Sequence, residues 1–202
     1  MNKRFDPAKL DKLNDPERLK YLDPDLIWRA AIPNDTKSGQ KFDPEVLVDI
    51  GAGTGLFALI FSKKIGGQKG RIYACDISAR MIEWMEANLP RPSDGGGVVI
   101  PLKMEESSVP LPGGVADMVY MIDLHHELDD PAATIREARR LLKGGGRLLI
   151  VDWKKEPTPE GPPLEIRVAE ETIMLQMREG GFSDLKHHPV LPYHNLLTGE
   201  KR

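Results

Sequence analysis

The residues best suited to chemistry fall in three short stretches. The first is Asp49-Ile50-Gly51-Ala52-Gly53-Thr54-Gly55, three glycines at alternate positions behind a carboxylate. Glycine lets the backbone turn tightly and approach a ligand with no Cβ in the way. The dinucleotide fingerprint G-x-G-x-x-G is not met, because Leu56 stands at its last position and Gly55 comes one residue early. Asp49 at the mouth of the loop would repel a pyrophosphate and attract an ammonium or sulfonium. The second stretch is Asp76-Ile77-Ser78, 25 residues after Gly51. An acid there can accept both hydroxyls of a ribose, or can simply open the turn into the next helix. The third is Asp123-Leu124-His125-His126-Glu127. It sets an acid that is costly to bury without a role beside two imidazoles that titrate near neutrality. Such a group can relay a proton, or can be a plain strand-to-helix turn.

These stretches need elements to hold them. Val46 to Ile50 is a short apolar run ending in glycines, the mark of a strand buried on both faces of a parallel sheet. Leu56 to Ile65 reads as a helix closed by Gly66-Gly67. Strands are expected at Arg71 to Cys75, Val98 to Leu102, Ala116 to Ile122 and Arg147 to Asp152. Helices are expected from Ser78 to Leu89, from Asp130-Pro131 to Lys143-Gly144, and from the Pro-rich loop Glu156–Pro163 to Gly180-Gly181. Two further strands, 184–191 and 193–200, flank Pro192 and must be antiparallel, since too little chain joins them for a crossover. Ahead of all this, three Asp-Pro pairs open short helices at 7–13, 16–21 and 24–31, followed by a loop from Asn34 to Gln40.

The alternation predicts an α/β fold: a doubly wound, seven-stranded, mostly parallel sheet with an antiparallel edge hairpin and an N-terminal helical arm. The arm is expected over 1–44 and the binding domain over 45–202. With 28 basic and 31 acidic residues the net charge is -3, which removes the broad electrostatic case for a nucleic-acid binder. The lone Cys75 excludes an internal disulfide and a thiolate zinc cluster. His125, His126, His187, His188 and His194 do not converge as ligands, so no metal is expected. No stretch approaches a membrane span and no apolar segment follows Lys3-Arg4, so the expected location is cytoplasmic. The sequence does not fix the oligomeric state, and a homodimer is one state open to it. Phe5, Tyr21 and Trp28 are apolar anchors for the arm, and Trp84, Met85 and Met81 read as helix core. Arg167 is a candidate for greeting an anionic substrate, or for a surface salt bridge.

Val48 to Gly55, Asp76-Ile77-Ser78 with Met81, Val109-Pro110-Leu111-Pro112, Ala116-Asp117-Met118-Val119, Leu124-His125-His126 and Arg136 to Gly146 together resemble the class I S-adenosylmethionine-dependent methyltransferases. The likeness covers residues 45–153 and is nearest to the small-molecule branch of ubiquinone and menaquinone synthesis. It implies S-adenosyl-L-methionine as cofactor, S-adenosyl-L-homocysteine as product, and methyl transfer to a small molecule by in-line displacement. Alignment of the reactants alone can be worth about 7–11 kcal/mol, so a base is needed only where the acceptor loses a proton.

Carried over residue by residue, the resemblance puts Asp49, Gly51, Ala52, Gly53 and Gly55 at the methionine end of the cofactor. Asp76 would take the ribose hydroxyls, Ile77 would pack on adenine, and Glu105 or Glu106 would bond its amino group. Asp123 and Leu124 would lie under the sulfonium, with Asp123 and His125 the candidate catalytic residues. A single strand-two cysteine argues against thiol-dependent acceptors, and the missing Asn/Asp-Pro-Pro-aromatic run argues against DNA amino methylation. Two other classes stay open: a nucleotide-dependent Rossmann oxidoreductase, and a non-catalytic cofactor-binding or assembly protein.

Overall fold

Each early Asp-Pro pair starts a turn in the computed structural model, which describes residues 4–32, 42–65, 70–90 and 97–202. Asp6, Asp15 and Asp23 accept backbone N–H groups from Ala8 (3.0 Å), Glu17 (2.9 Å) and Asp25 (2.8 Å). Proline adds no orphaned donor there. Pro7–Asn14 and Pro16–Lys20 are 3-10 helices, and Pro24–Ala31 is an α-helix, α1. A residue before proline avoids the helical region, so each segment is cut short by the cap of the next. The loop expected at Asn34 to Gln40 and the helix stop at Gly66-Gly67 lie outside the described residues.

From there strands and helices alternate: β1 (Val46–Ile50), α2 (Leu56–Ser62), β2 (Arg71–Asp76), α3 (Ala79–Asn88), β3 (Val98–Lys103), β4 (Ala116–Ile122), α4 (Pro131–Leu141), β5 (Leu142–Trp153), α5 (Glu170–Glu179), β6 (Phe182–His187) and β7 (His194–Lys201). They form one seven-stranded sheet in the order β3-β2-β1-β4-β5-β7-β6. β1 to β5 pair in parallel, and β7 runs antiparallel to both β5 and β6. Alternate β4 residues feed opposite layers, as a strand's period of two requires. Met118 and Tyr120 join Ile27, Phe61 and Met85 on one face, while Val119 and Met121 join Ile135, Ile173 and Met177 on the other. Leu22 and Ile27, fully buried, tie the end of the arm into the first layer.

Several boundaries differ from the sequence reading. α4 stops at Leu141, before Lys143-Gly144, because Leu142 is extended (φ -70°, ψ 143°) and pairs with Ala116. β5 therefore starts at Leu142 and not at Arg147, with a register break opposite Ala116/Met118. The edge strands are Phe182–His187 and His194–Lys201 in place of 184–191 and 193–200. Pro189 and Pro192, which lack ladder donors, both fall in the connection between them. Among the described residues no helix is long and apolar enough to cross a membrane.

The chain leaves β1 toward β2 on one side and leaves β4 toward β5 on the other. That reversal opens a crevice at the carboxyl ends of β1 and β4, where open α/β sheets bind ligands.

Candidate active site

The glycine loop occupies that crevice. Gly51, Gly53 and Gly55 have φ of 75°, 57° and 74°, a region that costs an L-residue about 1–2 kcal/mol. The N–H groups of Gly51 and Ala52 both donate to the Cys75 carbonyl, at 2.9 Å each. A Cβ on Gly51 would stand 2.6 Å from Leu124 Cδ1, and one on Gly53 would stand 2.9 Å from Leu13 Cδ1. The loop is therefore wedged between the end of β4 and the arm. Asp76 fixes it from β2, accepting the Gly53 N–H (2.8 Å) and the Ser78 N–H (2.8 Å). Ser78 makes no side-chain cap, so Asp76 opens α3 and braces the loop together. Burial pushes its carboxyl up.

Asp49 is more deeply buried. Desolvation raises its carboxyl to about 8; the neighbouring Tyr120 hydroxyl opposes that shift and the Asp76 charge adds to it. Near neutral pH it is a largely uncharged acid that a nearby cation would ionise.

A cavity of about 1140 Å³ opens above these groups. Asp49, Gly51, Ala52, Gly53, Asp76 and Ile77 all line it. From the opposite wall come Glu106, Asp123 and Leu124. Three expected residues are placed elsewhere. Gly55 is the left-handed residue that starts α2. Glu105 is exposed and forms an isolated bridge with Ser108, leaving Glu106 as the one of the pair that borders the cavity. His125 points under α5, where its Nε2 lies 2.8 Å from Gln176 Oε1, and burial holds its pKa down. It is 1% exposed and does not reach the cavity, so it is not a catalytic candidate.

Asp123 does border the cavity, but its charge is already matched. Its Oδ2 accepts from Arg18 at 2.9 Å, and its Oδ1 lies 2.9 Å from His194 Nε2 without a linear hydrogen bond. Burial pushes this carboxyl up, yet His194 and Arg18 outweigh it and hold it at about 2. Asp123 therefore anchors the arm, which is a different task from steadying a sulfonium.

The sequence reading offered both imidazoles of the third stretch and carried His125 forward, whereas it is His126 that turns inward. His126 lines the cavity, with Nδ1 2.8 Å from Asp152 Oδ1. The signal was there: Asp152 is an acid in the apolar run Leu148 to Trp153. Arg18 and His194 carried no such signal, since they reach Asp123 from 105 and 71 residues away.

The arm closes the front of the cleft. Arg4 pairs with Glu106 and Asp129, the Phe5 N–H donates to Glu127 Oε2 (2.8 Å), and Thr54 Oγ1 donates to Asn14 Oδ1 (2.8 Å). Tyr21 stacks on His194 with centroids 5.8 Å apart. Arg167 meets neither expectation. It is 5% exposed and donates to the carbonyls of Lys154, Glu156, Glu160 and Pro162 and to Thr158 Oγ1. Its guanidinium lies 5.1 Å from the Trp153 ring. It shapes the Pro-rich loop and does not line the cavity.

Comparison with known proteins agrees with this architecture. The chain is 28% identical over 152 residues to the ubiquinone/menaquinone biosynthesis C-methyltransferase UbiE of Hahella chejuensis, covering 75% of this chain and 58% of that protein. It thus spans less than two thirds of that relative's length. A crystal structure of a SAM dependent methyltransferase from Aquifex aeolicus superposes with a TM-score of 0.84 at 29% identity, over 98% of this chain and all of that one. The [4+2]-cyclase SpnF shares the fold alone, with a TM-score of 0.68 at 18% identity over 91% of this chain and 81% of that one. The family described as "Methyltransferase domain" matches residues 48–150, from inside β1 through the glycine loop to the middle of β5, and this chain belongs to that family.

Proposed function

We propose that the chain binds S-adenosylmethionine in the cleft between β1 and β4 and transfers its methyl group to a small-molecule acceptor. One observation carries this reading. A buried, largely neutral Asp49 sits at the root of a glycine cradle that side chains would fill, and Asp76 stands across from it with lone pairs left for hydroxyls. That set suits a cationic nucleoside, which would draw Asp49 into its charged form, whereas a pyrophosphate would keep it neutral and gain no charge partner from it; this disfavours the oxidoreductase alternative.

When bound, the cofactor supplies a methyl group on a positively charged sulphur that leaves as a neutral thioether. The chain's own residues bind and orient it. Asp49 and the Gly51–Gly53 backbone serve the methionine end, Asp76 the ribose, exposed Ile77 the adenine face, and Glu106 the adenine edge. Leu124 fills the floor beside Gly51. The arm narrows the opening, which favours a small acceptor over a protein or nucleic acid. A volume of about 1140 Å³ exceeds that of an ordinary single-ligand pocket and leaves room for cofactor and acceptor together.

Because the same fold also carries a cyclase, fold alone does not decide the reaction. Calorimetry with S-adenosylhomocysteine and with NADH tests the cofactor. Binding of the first and not the second is expected, with affinity at least tenfold weaker in Asp76→Ala. Unchanged affinity in that variant refutes the assignment. Tight binding with no turnover on any acceptor would favour a non-catalytic role.

A further inference from the structure

His126 is held in the cleft wall with a defined tautomer, and nothing in the cofactor cradle uses it. It lies in the 3-10 turn His125–Glu127 and is 6% exposed. Asp152, at 1% exposure, grips it twice: Oδ1 lies 2.8 Å from Nδ1, and Oδ2 accepts the His126 backbone N–H at 2.9 Å. Asp152 is itself fixed, because its Oδ1 also accepts the Trp153 N–H at 2.7 Å. Both Asp152 oxygens already accept backbone N–H groups, so Nδ1 is the donor in this contact and the lone pair of the neutral ring is on Nε2. Nε2 is 3.8 Å from Glu127 Oε1, beyond a hydrogen bond, and it is the ring nitrogen left for the cavity that His126 lines.

We propose that His126 Nε2 is the proton acceptor for the molecule that is methylated, with Asp152 as its positioning residue. This rests on the methyl-transfer reading above and narrows the acceptor to one that gives up a proton, such as a phenol or hydroquinone. A thioether or tertiary amine has no such proton and would leave the dyad idle. Phe5, Leu124, Leu128 and Ile166 also line this cavity and give an apolar acceptor body surface to rest on. The bonds balance without an outside oxidant or reductant. The acceptor atom gains the methyl carbon and loses its hydrogen, the electron pair of the broken methyl–sulphur bond stays on sulphur, and the proton moves to Nε2. The imidazolium so formed faces Asp152 and then passes the proton to water.

The groups that set its titration are Asp152 on β5, Glu127 in the same turn and Asp123 at the end of β4. Burial disfavours the charged ring, but these three carboxylates, Asp152 foremost, outweigh it and raise its pKa above the ordinary histidine value. The base must be neutral, so turnover rises with pH through that pKa and then levels off.

The test uses the full chain, 1,4-dihydroxynaphthalene and catechol as probe acceptors, and S-adenosylhomocysteine formation as the rate. Carbon-13-labelled histidines are titrated in parallel by NMR with S-adenosylhomocysteine bound. In the wild type the kinetic limb and the His126 titration should coincide. His126→Gln should lower kcat about 100-fold, in the range typical of a general base, and remove the limb, with cofactor affinity within twofold. Asp152→Asn should move both limb and titration to lower pH. The proposal is overturned if limb and titration differ in the wild type, or if His126→Gln keeps its kcat. Absence of turnover on both probes, with cofactor binding intact, would overturn it too while sparing the cofactor half of the proposed function. Failure to bind S-adenosylhomocysteine would instead bring down the methyl-transfer reading itself.

Discussion

Asp49 closes in on the cleft from β1, Asp123 from the end of the adjacent β4, and both carboxylates border the same cavity. Their surroundings are opposite. Among the described residues no cation pairs with Asp49, and desolvation leaves its carboxyl at about 8. Burial raises Asp123 as well, but His194 and Arg18 reverse the effect and its carboxyl falls to about 2. The same side chain at two neighbouring strand ends thus serves two ends. One is left as a neutral acid by burial, and the other is committed to holding the arm across the cleft. The difference lies in what reaches each strand end from elsewhere in the chain.

The largest effect should come from forcing these two strand ends apart. Gly51→Ala places a Cβ in the left-handed region and 2.6 Å from Leu124, the residue after Asp123. Left-handed strain and overpacking together predict a loss of about 2–4 kcal/mol, read as a Tm drop of roughly 5–15 °C in thermal unfolding. A drop of under a degree would mean that the ends are not in contact as described.

Removing the cation from Asp123 comes next. The Arg18 and Asp123 side chains are 14% and 15% exposed, so Arg18→Met should cost about 1–3 kcal/mol, less than a fully buried pair. Limited trypsin digestion should release the arm faster in this variant. Adding Asp123→Asn should restore part of the loss, because the stranded charge goes with it. If the double variant is less stable than the single one, the arm is held by something other than this pair.

The smallest effect concerns Asp49. Its folded pKa is raised, so the folded state binds the extra proton, and stability present at low pH is lost as pH climbs from the ordinary carboxylate range through about 8. Asp49→Asn is neutral throughout. Without ligand its stability relative to the wild type should rise steadily from pH 5 to pH 8. Asp123 has the opposite sign: its stabilisation is present above the ordinary carboxylate range and fades as pH falls through about 2. Asp123→Asn should therefore be the weaker protein at neutral pH. Parallel pH scans of denaturant unfolding that gave both variants the same sign would erase the distinction drawn here.

The geometry of the glycine-loop wall was legible because its determinants are local. A buried strand, alternate glycines and the acid ending the next strand lie within residues 46–76, and period and turn chemistry suffice to read them. The opposite wall was not, because side-chain direction there depends on distant partners. His125 and His126 are adjacent, and only Gln176 on α5 and Asp152 on β5 decide which ring turns inward. The role of Asp123 could not be read without Arg18 and His194. The arm's 3-10 segments were found where proline placed them, but their docking on Leu13 and Asn14 depends on contacts across the cleft.

Arg167 gives the Pro-rich loop an unusual kind of support. Four of its five partners are main-chain carbonyls, a feature that every amino acid supplies. The loop's shape thus depends little on side chains such as those of Glu156 and Glu160, which can be exchanged while the scaffold beneath stays put; Thr158, which bonds Arg167, and Gly161, whose φ of 109° and 2.7 Å clearance from Trp153 leave no room for a side chain, must stay. A variant library confined to the two glutamates, with Arg167, Thr158 and Gly161 untouched, would alter what the rim of the cleft presents to incoming molecules without disturbing how the chain folds.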